Sequence, residues 1–600
     1  MSSKKLLLVT TALEKTCGED EPILFLGEWC HLYGREDRHP SHNQQIVPYH
    51  WDDRSKLQED LNYIDSLHES LLEHLTTTLN LYHQIDRPKS YWRIIFGQWL
   101  MYYLIVLFDR WECLRVAFES SGDMRVYAIE ELDLQNPPLD YECFTVQAQN
   151  SDSWNHTIFL RIIKSFYTDK CDIHEKNIQN LEQDVCIRKS VTGKYAFLSA
   201  FKNSVISHFL ATLDSLIGLM CSKHDVMFFK SYFAPKALIK INLALRQIPR
   251  VFEKEFKWPI LDGGYPLNQA GRSSRASLKL SRRAESNFEA FVSDQIIRDI
   301  PHAYVEGFSY LLQKTRKINI QTKVICAATA LWGNEIFKVW TAEKVLKGVK
   351  LVVVEHGGGF PAPNERLLFE EKICDKKVTG AAPYHVKHVR IPPSKLASVS
   401  FKGTKNYCSV IANDMSRYCV NAAVNGPISG QVLQSFSMVC DLYSVLDKEV
   451  QLSFKVKAPP NRGWDIEQRY IDKLGSSKVY AETNYHKVIT QSRIIICTYP
   501  QTTLSEAMAS GVPTILLYPE HLWGVIAELN PLLELMKSNK MIFTDYSAAA
   551  KHLNAIWLNP EIWWESADVI KAREEFFRCC LDRNPHWVMV WVKFLKEMNK

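Results

Sequence analysis

The chain has 600 residues, a formal net charge of +5, 46% hydrophobic residues and 23% charged ones. That length exceeds what one core serves, so two large domains with added helical layers are expected. The composition excludes disorder as the main state, and so small a net charge gives no electrostatic case for nucleic-acid binding.

Lysines 4 and 5 precede the apolar run Leu6–Val9, in the order of a signal peptide. The apolar core is about four residues where a signal needs about 7–15, so the run reads as a first strand. Residues 23–26 read as a second short strand, ending in Gly27-Glu28-Trp29-Cys30. Ligands of open α/β sheets gather at the carboxyl ends of strands, which makes Glu28 a candidate for chemistry, with a capping or salt-bridging role as the alternative. A third run, 45–48, leads into Tyr49-His50-Trp51-Asp52-Asp53-Arg54. Asp52 or Asp53 caps the helix expected over 56–79, and the aromatic company also suits a sugar-facing wall. The longest apolar run, 94–108, has about 15 residues where a membrane span needs about 20, and reads as a buried helix. Residues 124–129 suggest a strand, 151–220 mostly helix, and 224–233 a strand running into a turn. The segment 271–283 (GRSSRASLKLSRR) holds five basic residues and no acidic one. It is a solvated loop or a patch for anionic lipid.

A strand at 322–327, a helix at 334–346 and a strand at 351–354 close on Glu355-His356-Gly357-Gly358-Gly359-Phe360. Three consecutive glycines let a backbone approach a ligand and aim N–H groups at an anion, and His356 can donate to a phosphate or carboxylate. The proline-bearing stretch 366–405 is expected to separate two domains. A fresh α/β series follows: strands at 407–411 and 451–457 with a helix between them at 430–446. The second strand ends in KAPPNRGWD, 457–465. Lys457, Arg462 and Trp464 suit a nucleotide phosphate and a flat ring; a turn stiffened by Pro-Pro is the alternative. The segment 494–518 then reads strand, polar turn, short helix opened by Thr502 and Thr503, Gly511, strand. Its helix start is either a plain cap or a seat for phosphate. The fifteen cysteines show no CxxC pair, and no zinc spacing, Walker A or GxSxG element occurs. Reduced, buried thiols and a cytoplasmic protein are expected. The aromatic-rich helices of 546–600 are expected to pack back across the domains.

Five motifs in order, LGEWC at 26–30, PYHWDDR at 48–54, EHGGG at 355–359, KAPPNRGWD at 457–465 and TTLSEAMASGVPTILLY at 502–518, together resemble a bacterial family of transferases of surface-carbohydrate loci. The chain departs from that family's pattern around the glycines, where Glu355 precedes His356 and Phe360-Pro361 follow. The C-terminal half is more distantly similar to the Kdo transferases of capsules. The resemblance implies an α/β fold of two Rossmann-like domains in a GT-B arrangement: 1–365 acceptor-side with helical insertions, 366–405 interdomain, 406–545 donor-binding, 546–600 terminal helices. It implies transfer of a sugar, a nonulosonic acid from a CMP-activated donor, onto a bacterial surface glycan or lipid-linked acceptor. Neither metal nor cofactor is implied, since the nucleotide-sugar is a substrate; the enzyme would work in the cytoplasm, at the inner face of the membrane if the basic segment touches lipid. Carried over by position, Lys457, Arg462, Trp464, Thr502, Thr503, Ser505, Glu506, Gly357 and Gly358 become donor-side residues, with Glu506 on the ribose hydroxyls. Glu28, Asp53 and His356 become the cleft-side catalytic candidates, Glu28 ahead of Asp53. Two other readings keep much of this pattern: a CDP-alcohol-dependent polyol-phosphate transferase of wall polymers, and a non-catalytic scaffold in glycan assembly.

Overall fold

The computed structural model describes residues 5–17, 21–35, 44–129, 137–176, 224–252, 254–257, 275, 278–355, 357–363, 369–396, 405–423, 426–482 and 484–599. Within these the chain builds three five-stranded parallel sheets. The first is ordered β3-β2-β1-β4-β5, from β1 (Leu6–Val9), β2 (Ile23–Phe25), β3 (Gln44–Ile46), β4 (Met124–Ile129) and β5 (Cys171–Lys176). The second runs β10-β9-β8-β7-β6, from β6 (Val226–Phe229), β7 (Val324–Ala327), β8 (Lys350–Val354), β9 (Lys376–Thr379) and β10 (His388–Arg390). The third is ordered β12-β11-β13-β14-β15, from β11 (Tyr407–Ile411), β12 (Phe454–Lys457), β13 (Ser492–Cys497), β14 (Thr514–Leu517) and β15 (Ile542–Phe543). The fold class is therefore α/β, as the alternation of strand and helix signals indicates. Residues 1–365 contain all of the first sheet and three strands of the second; the segment 366–405 supplies the other two. Strands of three or four residues are too short to display an alternation, which is why β9 and β10 do not stand out among the prolines.

Buried parallel strands carry side chains into two cores at once. In β13, Ile494 and Ile496 enter the core shared with the first sheet, while Ile495 and Cys497 face the opposite one. In β8, Leu351 and Val353 join that shared core, and Val352 and Val354 meet a third cluster closed by the C-terminal helix. The shared core forms around two long helices, α1 (Arg54–His83) and α2 (Lys89–Ser121). Helix α1 has one apolar stripe; α2 is apolar all round, as a helix enclosed by protein requires. By length and composition α2 could cross a membrane, but 89% of its most apolar window is buried inside the fold. The first and third units are pinned together by Arg110 of α2, which is fully buried. Its Nη1 donates to Asp109 at 2.5 Å and to the Cys419 carbonyl at 2.9 Å, and its Nε and Nη2 donate to Asn155 Oδ1.

The last helices bind the second and third sheets to each other. Helix α3 (Ala567–Cys580) packs Phe576 and Cys580 into the third unit's outer core. It also accepts a hydrogen bond from Ala382 N at the Cys579 carbonyl. Helix α4 (Trp587–Met598) returns to the second sheet, where Trp591 donates to the Pro392 carbonyl at 2.9 Å. The basic segment is partly turned inward: Arg275 makes a two-pronged ion pair with Glu306, and Arg282 donates to Glu289. Those two cations are not available to a lipid surface. The described cysteines are all free thiols.

Removing Arg110 leaves Asp109 buried beside an uncompensated gap. Arg110→Ala is expected to lower stability by about 3–5 kcal/mol, measured by urea denaturation.

Candidate active site

The third sheet reverses its strand order between β11 and β13, and ligands of such sheets bind in the crevice past the carboxyl ends at that reversal. Past β13 comes helix α5 (Thr502–Ser510), ended by Gly511 in the left-handed conformation. No side chain caps its first N–H groups, so that positive helix end is not neutralised from within. In its second turn Ser505 is 1% exposed and its hydroxyl has no hydrogen-bond partner. Past β11, Asn413 is 7% exposed and neither its amide oxygen nor its nitrogen is partnered. Two buried polar groups without a protein partner thus lie past adjacent strands, beside the uncapped helix start. Next to Asn413, Asp414 accepts from the backbone N–H groups of Met415 and Arg462, both at 2.8 Å. Burial nevertheless pushes its carboxyl up to about 6.

The glycine run past β8 lies directly on the start of α5. A Cβ on Gly357 would overlap the Thr502 hydroxyl, and one on Gly358 would come within 3.1 Å of the Ser505 hydroxyl. Gly359 has φ +125° and sits on the backbone of Pro500 and Gln501. The Phe360 N–H then donates to the Pro500 carbonyl at 2.9 Å. Only glycine permits this approach and this φ. Between the second and third sheets the contact leaves a cavity of about 180 Å³, lined by Glu355, Gly357–Pro361, Gln501, Thr502 and Trp523 among others. Glu355 lines it one residue past β8, with its Oε2 held at 2.9 Å by the Gly380 N–H.

A second, larger space of about 950 Å³ opens between the first and third sheets. Its walls are the turns past β2 and β3, helix α6, which starts the series at Val432–Val445, and the turns past β14 and β15. The loop 519–524 borders both spaces. Between them Arg54 donates to the Gly426 and Leu522 carbonyls at 2.9 and 2.8 Å.

The residues singled out in the sequence are thus divided. Gly357, Gly358 and Thr502 line the small cavity, with Ser505 beneath them. Glu28 instead lines the large cleft, about half exposed, its pKa raised by partial burial against the pull of Arg469. The structure does not bring Glu28 and Thr502 into one pocket. Asp53 caps α1, accepting from Ser55 N at 2.8 Å and Lys56 N at 3.1 Å, while its neighbour Asp52 is the one that reaches the cleft. Trp464 is 1% exposed and packs in the shared core beside Gly430, so its ring is closed to a ligand. Lys457 turns back on the Ala458 carbonyl, and Arg462 is exposed with its backbone fixed to Asp414; neither lines either space. Glu506 is buried and ion-paired with Lys395 at 2.6 Å. Thr503 is half-buried, its carbonyl held by Tyr485. His356 lies outside the described residues. Asn413 and Asp414 escaped the sequence reading, and Glu355 entered it only as a departure from the family's pattern, although each lies within three residues of a strand end, the signal that singled out Glu28.

Among the described residues, three side-chain groups have donor sets a metal could use: His50, Asp109 and Cys113; His50, Asp60 and Glu112; Asp65, His68 and Glu69. None lines either space, and the acids of each already hold Arg110, Lys56, or Arg93 with Lys372.

Parallel sheets joined across a glycine loop and a helix start, with terminal helices returning to the earlier sheet, define an α/β protein of GT-B-like architecture. By sequence the chain belongs to the LIC12162 family of transferases, whose profile matches residues 6–595. No curated protein matches it in sequence. Among solved structures it is similar to a UDP co-structure of MnaA from S. aureus, at 12% identity and a TM-score of 0.33, covering 63% of this chain and 96% of that one. It is also similar to the spinosyn forosaminyltransferase SpnP, at 14% identity and a TM-score of 0.30, covering 63% and 100%. MurG from Acinetobacter baumannii gives 12% identity and a TM-score of 0.27, covering 62% and 99%. Likenesses this weak identify no substrate and no residue.

A carboxyl whose folded pKa is raised loses stability as pH climbs from the ordinary value, near 4, to the raised one. Asp414→Asn is therefore expected to abolish the loss of stability between about pH 4 and pH 6, on the order of 1–3 kcal/mol, at a pH-independent cost for the one backbone N–H that the amide nitrogen cannot accept. Thermal unfolding across that pH range checks it.

Proposed function

We propose that the protein is a nucleotide-sugar-dependent glycosyltransferase that seats the donor phosphate at the start of α5. The observation that carries this is the pair of buried, unpartnered groups, Ser505 Oγ and the Asn413 amide, past the two strands that flank the reversal of the third sheet. A transferring sugar leaves negative charge on the departing phosphate. Uncapped N–H groups of a helix start stabilise that charge without reorganising, and in a dry cavity they do so strongly. The glycine loop brings further N–H groups to within contact of the same helix start and shuts out water. Arg462, exposed and anchored by its backbone at the same edge of the sheet, is a cation among the described residues that can close on the donor. The resemblance in sequence favours a CMP-activated nonulosonic acid as donor and a bacterial surface glycan as acceptor, with the reaction on the cytoplasmic side.

The acceptor hydroxyl must lose its proton to a base. Glu355 shares a cavity with Thr502 and the glycines, whereas Glu28 does not. Glu370 shares that cavity too but is ion-paired with Lys377 at 3.1 Å, so we take Glu355, whose Oε2 accepts from the Gly380 N–H, as the carboxylate that receives the proton. Glu355→Gln is expected to lower kcat by about 100-fold or more while leaving nucleotide affinity unchanged, and Glu28→Gln to retain most of the donor-side chemistry. Kinetics of the two variants beside nucleotide titrations decide between the carboxylates.

The donor seat is tested by thermal shift with CMP, CDP, UDP, GDP and ADP. A cytidine nucleotide is expected to raise the melting temperature. Ser505→Ala is expected to abolish most of that rise while leaving the unliganded protein equally or more stable, because it deletes a buried hydroxyl that has no partner. A purely structural Ser505 would give the same nucleotide shift with and without its hydroxyl, and a scaffold would show no shift for any nucleotide. A phosphodiester in place of a glycosidic bond in the product would assign the reaction to polyol-phosphate transfer at the same seat.

A further inference from the structure

The 950 Å³ cleft between the first and third sheets plays no part in the donor seat, and its chemistry is the opposite of a phosphate site. Among the described residues no Lys or Arg lines it, while four carboxylates do: Glu28, Asp52, Asp441 and Glu520. Glu520 is ion-paired with Lys537 at 2.8 Å, and Glu28 lies 3.9 Å from His31 Nδ1 and within the pull of Arg469, which leaves Asp52 and Asp441 with no ion pair among the described residues. An anion entering here would meet repulsion in a partly desolvated setting, where Coulomb energies exceed their values in water. A neutral polyol meets the reverse, because a carboxylate accepts two hydroxyls side by side and such charge-assisted bonds are strong. The walls are also held ready. Gln431 donates to Asp52 at 2.7 Å and so fixes that carboxylate, and Gly430 leaves no room for a Cβ because Glu28 Cβ would lie 2.7 Å away. Gln434, Ser437 and Asp441 stand three and four residues apart on α6, so one helix face presents an amide, a hydroxyl and a carboxylate to the cleft. Tyr49 and Tyr546 supply aromatic surface.

We propose that this cleft binds a neutral, hydroxyl-rich saccharide, namely the part of the acceptor glycan that does not react. Its volume lies at the upper end of the ~300–1,000 Å³ of ligand sites, room for more than one sugar ring. The loop 519–524 borders both spaces, so a glycan seated here ends beside the donor cavity. The role as acceptor rests on the proposed transfer reaction; the binding rests on the lining of the cleft alone. Binding energy gathered at such a distance from the reacting bond serves to orient the acceptor hydroxyl.

The test is saturation-transfer NMR on the full chain with chitotriose, maltotriose and mannotriose as probes, each with and without CMP. At least one trisaccharide is expected to receive saturation and to keep it when CMP is added. The double variant Gln434→Ala, Asp441→Asn changes two exposed side chains, and its melting temperature verifies the fold. It is expected to bind that sugar about tenfold more weakly while binding CMP as before. Absence of saturation in all three sugars, survival of the signal in the double variant, or displacement of the sugar by CMP would overturn the assignment. Sugar binding without any nucleotide binding would uphold the cleft and remove the transfer reaction; nucleotide binding without sugar binding would do the opposite.

Discussion

The contact between the glycine run 357–359 and the first turn of α5 is the constraint on which the rest of the site depends. It joins two sheets at their carboxyl ends, where parallel strands leave loops free for ligands. Any side chain at Gly357 would occupy the place of the Thr502 hydroxyl, and any at Gly359 would require both a strained φ and displacement of the Pro500 backbone. The terminal helices exist in the same context. By accepting from Ala382 N and donating to the Pro392 carbonyl, they hold the second sheet at the distance this contact needs.

Charge then divides the space around the contact. On one side are uncapped helix N–H groups, unpartnered Ser505 and Asn413, and an Asp414 that burial keeps partly protonated near neutral pH. On the other side of the Arg54 strut lie carboxylates with no lining cation. A single pocket with both properties would bind neither an anion nor a polyol well. Two spaces bordered by one loop can hold a charged donor and a neutral acceptor without mutual interference.

Much of this was legible from residues. The apolar runs of β1, β2, β8, β11 and β13 and a helix cap at Asp52 or Asp53 follow from local patterns, and the glycine run declares a close approach before any partner for it is known. What approaches it was not legible, because the partner is about 140 residues away in sequence. Trp464 misled for a related reason. An aromatic after a Pro-Pro turn looks available, yet whether it faces ligand or core depends on Gly430 and the helix behind it. The adjacent acids Asp52 and Asp53 illustrate the same limit at the scale of one residue, since a turn of backbone sends one to the cleft and the other to a helix cap. Strands β5, β9 and β10 went unread because short strands of mixed polarity, two of them at sheet edges, have no apolar run to announce them.

The first sheet sharpens the assignment by contrast. Its order reverses between β1 and β4, so it too has a crevice of the kind that holds nucleotides. That crevice is filled from within. Thr10 past β1 is bound to His156, the Ala12 N–H to Asp152, and Asp152 in turn to Arg417 and Tyr418 from the third unit. The Trp29 indole closes the top by donating to the Thr10 carbonyl at 3.0 Å. The strand ends of that crevice are thus tied across to the third unit through Asp152, whereas the corresponding crevice of the third sheet is met by the glycine loop past β8. The same fold element serves once as a brace between units and once as the surface on which that glycine loop rests.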